Sequence, residues 1–183
     1  VKHIARRLLA ALLALLPRSV EAHPLDELAQ SAYLTIAPGE VRLELDLTPG
    51  IEVAGPLLHA MDGDGNRMVT GAEARIYAGD VLARSSLSLD HVATSLVAGD
   101  AEVPPYRRIE PGGTTISIHG TAQRLDSVGA HVLTYRNDHQ PGASRRTAHV
   151  FLRPGNGWQY RVTGQQRSDD GRQLTVTYVV TRQ

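Results

Sequence analysis

Seven stretches of this chain alternate apolar and polar residues, and that two-residue period constrains its fold more than any other feature. Val41-Arg42-Leu43-Glu44-Leu45-Asp46-Leu47 alternates at every step, as a strand with one buried face must. Ser31 to Ile36 precedes it across a Pro38-Gly39 turn. Thr114 to His119, His131 to Tyr135, Thr147 to Leu152, Gln159 to Thr163 and Gln173 to Val180 repeat the pattern. Between them stand turn formers: Pro111-Gly112-Gly113, Asn137-Asp138, Pro154-Gly155-Asn156-Gly157 and Asp169-Asp170-Gly171. Short strands at this spacing predict a mainly β fold, an antiparallel β-sandwich.

One stretch, about Gly55 to Ser85, breaks the period. Pro56 to Met61 reads as a short helix. Ala72 to Arg84 reads as a longer one, with Ile76, Val81 and Leu82 toward one face and Glu73, Arg75, Asp80 and Arg84 toward the other. Helix, acidic loop, helix is the pattern of an EF-hand unit, here inserted into a β domain.

The loop runs Asp62-Gly63-Asp64-Gly65-Asn66-Arg67-Met68-Val69-Thr70-Gly71-Ala72-Glu73. Calcium is a hard cation that takes six to eight oxygens, and a 12-residue EF loop supplies them from positions 1, 3, 5, 7, 9 and 12. Those positions hold Asp62, Asp64, Asn66, Met68 (through its carbonyl), Thr70 and Glu73. Each offers the oxygen required. Position 6, where the backbone turns through positive φ, carries Arg67 in place of the usual glycine. A side chain there costs on the order of 1 kcal/mol, and its charge is expected to sit near the cation. A low-affinity calcium site follows, of the kind that works outside cells at roughly 10⁻⁴ to 10⁻³ M.

Export is the second expectation. Lys2, Arg6 and Arg7 form a basic start, and Leu8 to Leu16 is a nine-residue run of Leu and Ala. That suits a signal-peptide core and falls short of the roughly 20 residues a membrane span needs. Val20-Glu21-Ala22 supplies a cleavage site, so residues 1–22 are expected to be removed, leaving residues 23–183 as one domain. Those residues hold no Lys and no Cys, with 15 Arg against 18 Asp and Glu for a net charge of −3. The balance argues against nucleic acid as a partner, and a fold without disulfides holds by packing or by a metal. No later segment is long and apolar enough to span a membrane. The expected location is the periplasm or the medium.

Cleavage after Ala22 would make His23 the amino terminus. Its amine and Nδ1 can chelate copper or nickel, and Pro24 has no N–H with which to extend the chelate. His59, His91, His119, His131, His139 and His149 stand at spacings that name no second ligand. The chain lacks a G-x-S-x-G elbow, a cysteine, an HExxH and a glycine-rich phosphate loop, so no enzymatic activity is expected.

With these residues in place, the chain resembles the extracytoplasmic domains of bacterial nickel/cobalt permease and hydrogenase/urease accessory permease-related proteins. The likeness rests on Ala22-His23-Pro24-Leu25, the strand pair Tyr33 to Gly39 and Val41 to Pro49, the acidic loop, and Tyr135-Arg136-Asn137. It implies a domain outside the membrane beside a metal transporter, and a nickel, cobalt or copper role for His23. The transporter would be a separate protein, since the chain carries no membrane segment of its own.

Overall fold

A computed structural model describes residues 25–183; the expected signal peptide and His23 lie outside the described residues. The alternating segments are strands, as predicted. β1 (Leu28–Ala37) and β2 (Glu40–Pro49) form a hairpin in which Pro38 fixes its own φ and Gly39 takes a φ of 79°. Along β2, Val41, Leu43, Leu45 and Leu47 are buried while Arg42 and Glu44 are exposed.

After β2 come helices α1 (Ile51–Met61) and α2 (Gly71–Leu82), then β3 (Ser85–Leu89), β4 (Val92–Thr94) and β5 (Val97–Glu102). A one-turn helix α3 (Tyr106–Ile109) leads into β6 (Ile116–Gln123), β7 (Gly129–Asn137), β8 (Ser144–Leu152), β9 (Trp158–Arg167) and β10 (Gln173–Arg182). The strands form two five-stranded sheets, ordered β5-β6-β2-β1-β8 and β4-β3-β7-β10-β9. Their buried residues share one apolar core, in which Leu34, Leu45, Tyr135, Val176 and Tyr178 meet Leu58 of α1 and Val81 of α2. Among the described residues, no helix is long and apolar enough to cross a membrane.

The antiparallel expectation needs one correction. β1 and β8 run parallel, from Leu28 opposite Ser144 to Ile36 opposite Leu152. The cause lies at Asn137-Asp138, which does not make a hairpin turn. Asn137 is the buried last residue of β7, and the chain there leaves one sheet and crosses to the other. Side chains pin the crossing. Gln30 Nε2 donates to the His139 carbonyl at 3.0 Å, and Asn137 Nδ2 donates to Gln30 Oε1 at 2.9 Å. The His139 N–H donates to Asn137 Oδ1 at 3.0 Å, and Arg146 Nη2 reaches the His139 carbonyl at 2.6 Å.

The free edge of β8 is covered. Arg167 of β9 donates from Nη2 and Nε to the Ala148 carbonyl at 3.0 and 3.2 Å. Gly171, at a φ of 68°, brings the β9–β10 turn so close that a Cβ would lie 2.4 Å from the Arg146 carbonyl oxygen. An uncovered edge strand recruits other chains, and the Arg146–Ala148 stretch of this one is covered from within.

Both helices depart from expectation at their ends. α1 starts at Ile51, and Pro56 lies inside it. The N–H that Pro56 lacks would have reached back to Glu52, and both residues face solvent, so the missing bond is cheap. Ile76 is not on the buried face of α2; it is 68 % exposed. Ala74, Tyr77, Ala78, Val81 and Leu82 are the buried residues, three and four apart, whereas Ile76 stands five before Val81 and points elsewhere.

Candidate metal-binding loop

Residues 62–70 join α1 to α2. Asp62 ends α1, its N–H held by the Leu58 carbonyl at 2.8 Å, which leaves the carboxylate aimed into the loop. Asp62 Oδ2 accepts the Arg67 N–H at 2.8 Å, and Oδ1 accepts the Asn66 N–H at 3.1 Å. Asp64 Oδ1 accepts the same Asn66 N–H at 3.1 Å, while Asn66 Nδ2 donates to Asp64 Oδ2 at 2.8 Å. Asn66 Oδ1 accepts the Met68 N–H at 2.8 Å. The loop is thus wound around its own acidic side chains.

The far wall is the start of α2. Thr70 is the N-cap and forms a capping box with Glu73. Glu73 Oε2 accepts from the Thr70 N–H and the Thr70 hydroxyl, both at 2.8 Å, and Oε1 accepts the Gly63 N–H at 2.9 Å. These donors, the Thr70 N–H foremost, hold the Glu73 carboxyl below its ordinary range. Glu73 therefore bridges the first and last turns of the loop as a carboxylate.

Of the six residues predicted to ligate, the fold brings three carboxylates together. One oxygen each from Asp62, Asp64 and Glu73 lies within 4.8 Å of the others. Asp62 is buried, Glu73 half-buried and Asp64 exposed, so the cluster is open on one side. Asn66 and Thr70 are hydrogen-bonded to these carboxylates. The Met68 side chain points into solvent, and Val69 packs against the core.

Arg67 does adopt the left-handed conformation, with φ at 61°. Its guanidinium, expected near the cation, lies elsewhere. It pairs with Glu110 and stands 5.4 Å over the Tyr106 ring, so its charge is taken up at α3. Sequence reading missed this partner because Glu110 lies 43 residues away.

Among the described residues, no second group of three His, Asp or Glu side chains converges. Four of the histidines have definite structural surroundings. His149 stacks on Tyr33 at 5.5 Å, His119 Nδ1 lies 3.1 Å from the Asp100 carbonyl, and His139 is buried at the sheet crossing. His131 lies between Asp90 and Ser127, the residue types of a hydrolytic triad. Its Nε2, however, faces the Ser127 carbonyl at 2.9 Å, closer than the Ser127 hydroxyl at 3.4 Å. A nitrogen donating to a carbonyl is not free to take a hydroxyl proton, so the trio serves as a clamp between turns.

No protein-family model matches the chain, and no curated protein matches it.

Proposed function

We propose that the protein is an exported calcium-binding β-sandwich whose Asp62–Glu73 loop is an EF-hand-type site that locks the fold. The observation that carries this reading is the convergence of Asp62, Asp64 and Glu73, 10 residues of chain drawn shut by Glu73 onto the Gly63 N–H. Three carboxylates so close repel one another, and a divalent cation relieves that repulsion. The oxygens of Asn66, Met68 (carbonyl) and Thr70 complete the six that the loop pattern supplies. Calcium fits better than magnesium, because the set is all oxygen and borne on a loop rather than a rigid octahedral frame. Binding at this junction ties α1 to α2, and both pack on the shared core, so the cation acts on stability.

The periplasm or medium is the matching location, because a weak site fills where calcium is abundant. The sequence motifs shared with permease-related extracytoplasmic domains support a position outside the membrane, beside a metal transporter. A transition metal at His23 beside a transporter is its corollary.

The test is thermal unfolding of the protein in EDTA and in calcium. For a Kd near 10⁻⁴ M, about 1 mM calcium stabilises by about 1.4 kcal/mol, which raises Tm by about 4 °C in a chain of this size. Asp62→Asn or Glu73→Gln should abolish that increment. An unchanged Tm in the intact protein would overturn the structural role.

A further inference from the structure

A positive charge at position 6 sets the loop a problem. The Arg67 N–H donates to Asp62 Oδ2 at 2.8 Å, so the residue touches the carboxylate that opens the loop. Its side chain is long and flexible, and its guanidinium is always charged. The acids beside it in the chain are Asp62, Asp64 and Glu73, whose oxygens lie within 4.8 Å of one another. A guanidinium and a bound cation would draw on the same carboxylates.

The fold gives the guanidinium a different partner. Glu110 caps the C-terminal end of α3, its N–H held by the Tyr106 carbonyl at 3.0 Å. The helix is rooted in the core, since Ile109 is fully buried and Tyr106 packs against the apolar cluster. Glu110 is therefore presented from a fixed support. It pairs with the Arg67 guanidinium, which also stands 5.4 Å over the Tyr106 ring. Carboxylate and ring face act on the cation together. Glu110 itself is not one of the converging carboxylates of the loop.

We propose that Glu110 is a positioning residue for the cation loop: by holding the Arg67 guanidinium against α3, it keeps a positive charge off the three carboxylates. The inference rests on the reading of the loop as a calcium site, and it adds to that site a residue outside the 12-residue pattern. With Glu110 neutral, the guanidinium turns to the remaining acids and competes there with calcium. Both charges are exposed and screened by salt, so the expected loss is modest, about threefold in affinity.

The test is calorimetric titration of the full chain with calcium chloride at low ionic strength, where screening is weakest. Four proteins are compared: the parent, Glu110→Gln, Arg67→Gln and the double variant. The Glu110 and Arg67 side chains both face solvent, so the substitutions keep the core intact. Glu110→Gln should weaken binding about threefold in the parent and by less than about 1.5-fold in the Arg67→Gln background. Arg67→Gln alone should bind calcium at least as tightly as the parent. Three results would overturn the proposal. Glu110→Gln binds calcium like the parent; it loses as much in the Arg67→Gln background, which means that its charge acts only at a distance; or Arg67→Gln binds more weakly than the parent, which means that the pair merely braces the loop. Absence of calcium binding in the parent is a separate failure, which overturns the calcium site itself and this inference with it.

Discussion

Arg67 shows two energies meeting in one residue. Its left-handed backbone costs on the order of 1 kcal/mol, and its side chain recovers part of that through Glu110 and the Tyr106 ring. Two substitutions separate the terms. Arg67→Ala keeps the backbone cost and loses the contacts, so urea denaturation should show a loss of about 1 kcal/mol. Arg67→Gly loses the same contacts but accepts the conformation freely, and should fall within about 0.5 kcal/mol of the parent. His139 gives a second prediction, in pH. Its folded proton affinity lies near 4, below the 6.5 of an ordinary imidazole, because burial disfavours the charged ring. The unfolded chain therefore binds the proton first as pH falls, and the stability is full above about 6.5 and lost progressively toward 4. His139→Gln should flatten the denaturation midpoint across that window.

Among the elements, the crossing between β7 and β8 concentrates more buried polarity than any strand. Asn137→Leu would leave Gln30 Oε1 and the His139 N–H unpaired in the interior, at a cost of about 2–4 kcal/mol by urea denaturation. None of this was legible in the sequence. The polar pair Asn137-Asp138 reads as a turn, and only its tertiary surroundings reveal an interior strand end. β2 was fully legible because one of its faces is buried and the other wet. β5 was not, since Val97, Ala98, Gly99 and Asp100 are all exposed on a sheet edge and no alternation is demanded of them. β3 and β4 were not either, because β3 buries only Leu87 and β4 buries none of its residues, so neither has an inner face to impose a period. In the loop, local chemistry sufficed: the acidic residues that converge are close in sequence and stand at ligand spacing. Arg67's partner and the buried setting of His139 escaped notice because each is made by segments distant in the chain.

For the molecule as a whole, integrity depends on keeping the two sheets from adding further strands. Gly171→Ala tests the closed edge at β8. A methyl group 2.4 Å from the Arg146 carbonyl oxygen, on a backbone with positive φ, must push the β9–β10 turn outward. The expected result is a loss of more than about 2 kcal/mol and, by size-exclusion chromatography, more self-association than the parent shows. The parallel pairing of β1 with β8 has another consequence, one of time. Ser31 and Thr147, bonded across it, are separated by 116 residues, so β1 and β2 must wait for most of the chain before their sheet gains its last strand. Contacts so distant are slow to form. A chain interrupted during synthesis before Ser144 would leave one edge of β1 unpaired, and an unpaired strand edge favours aggregation.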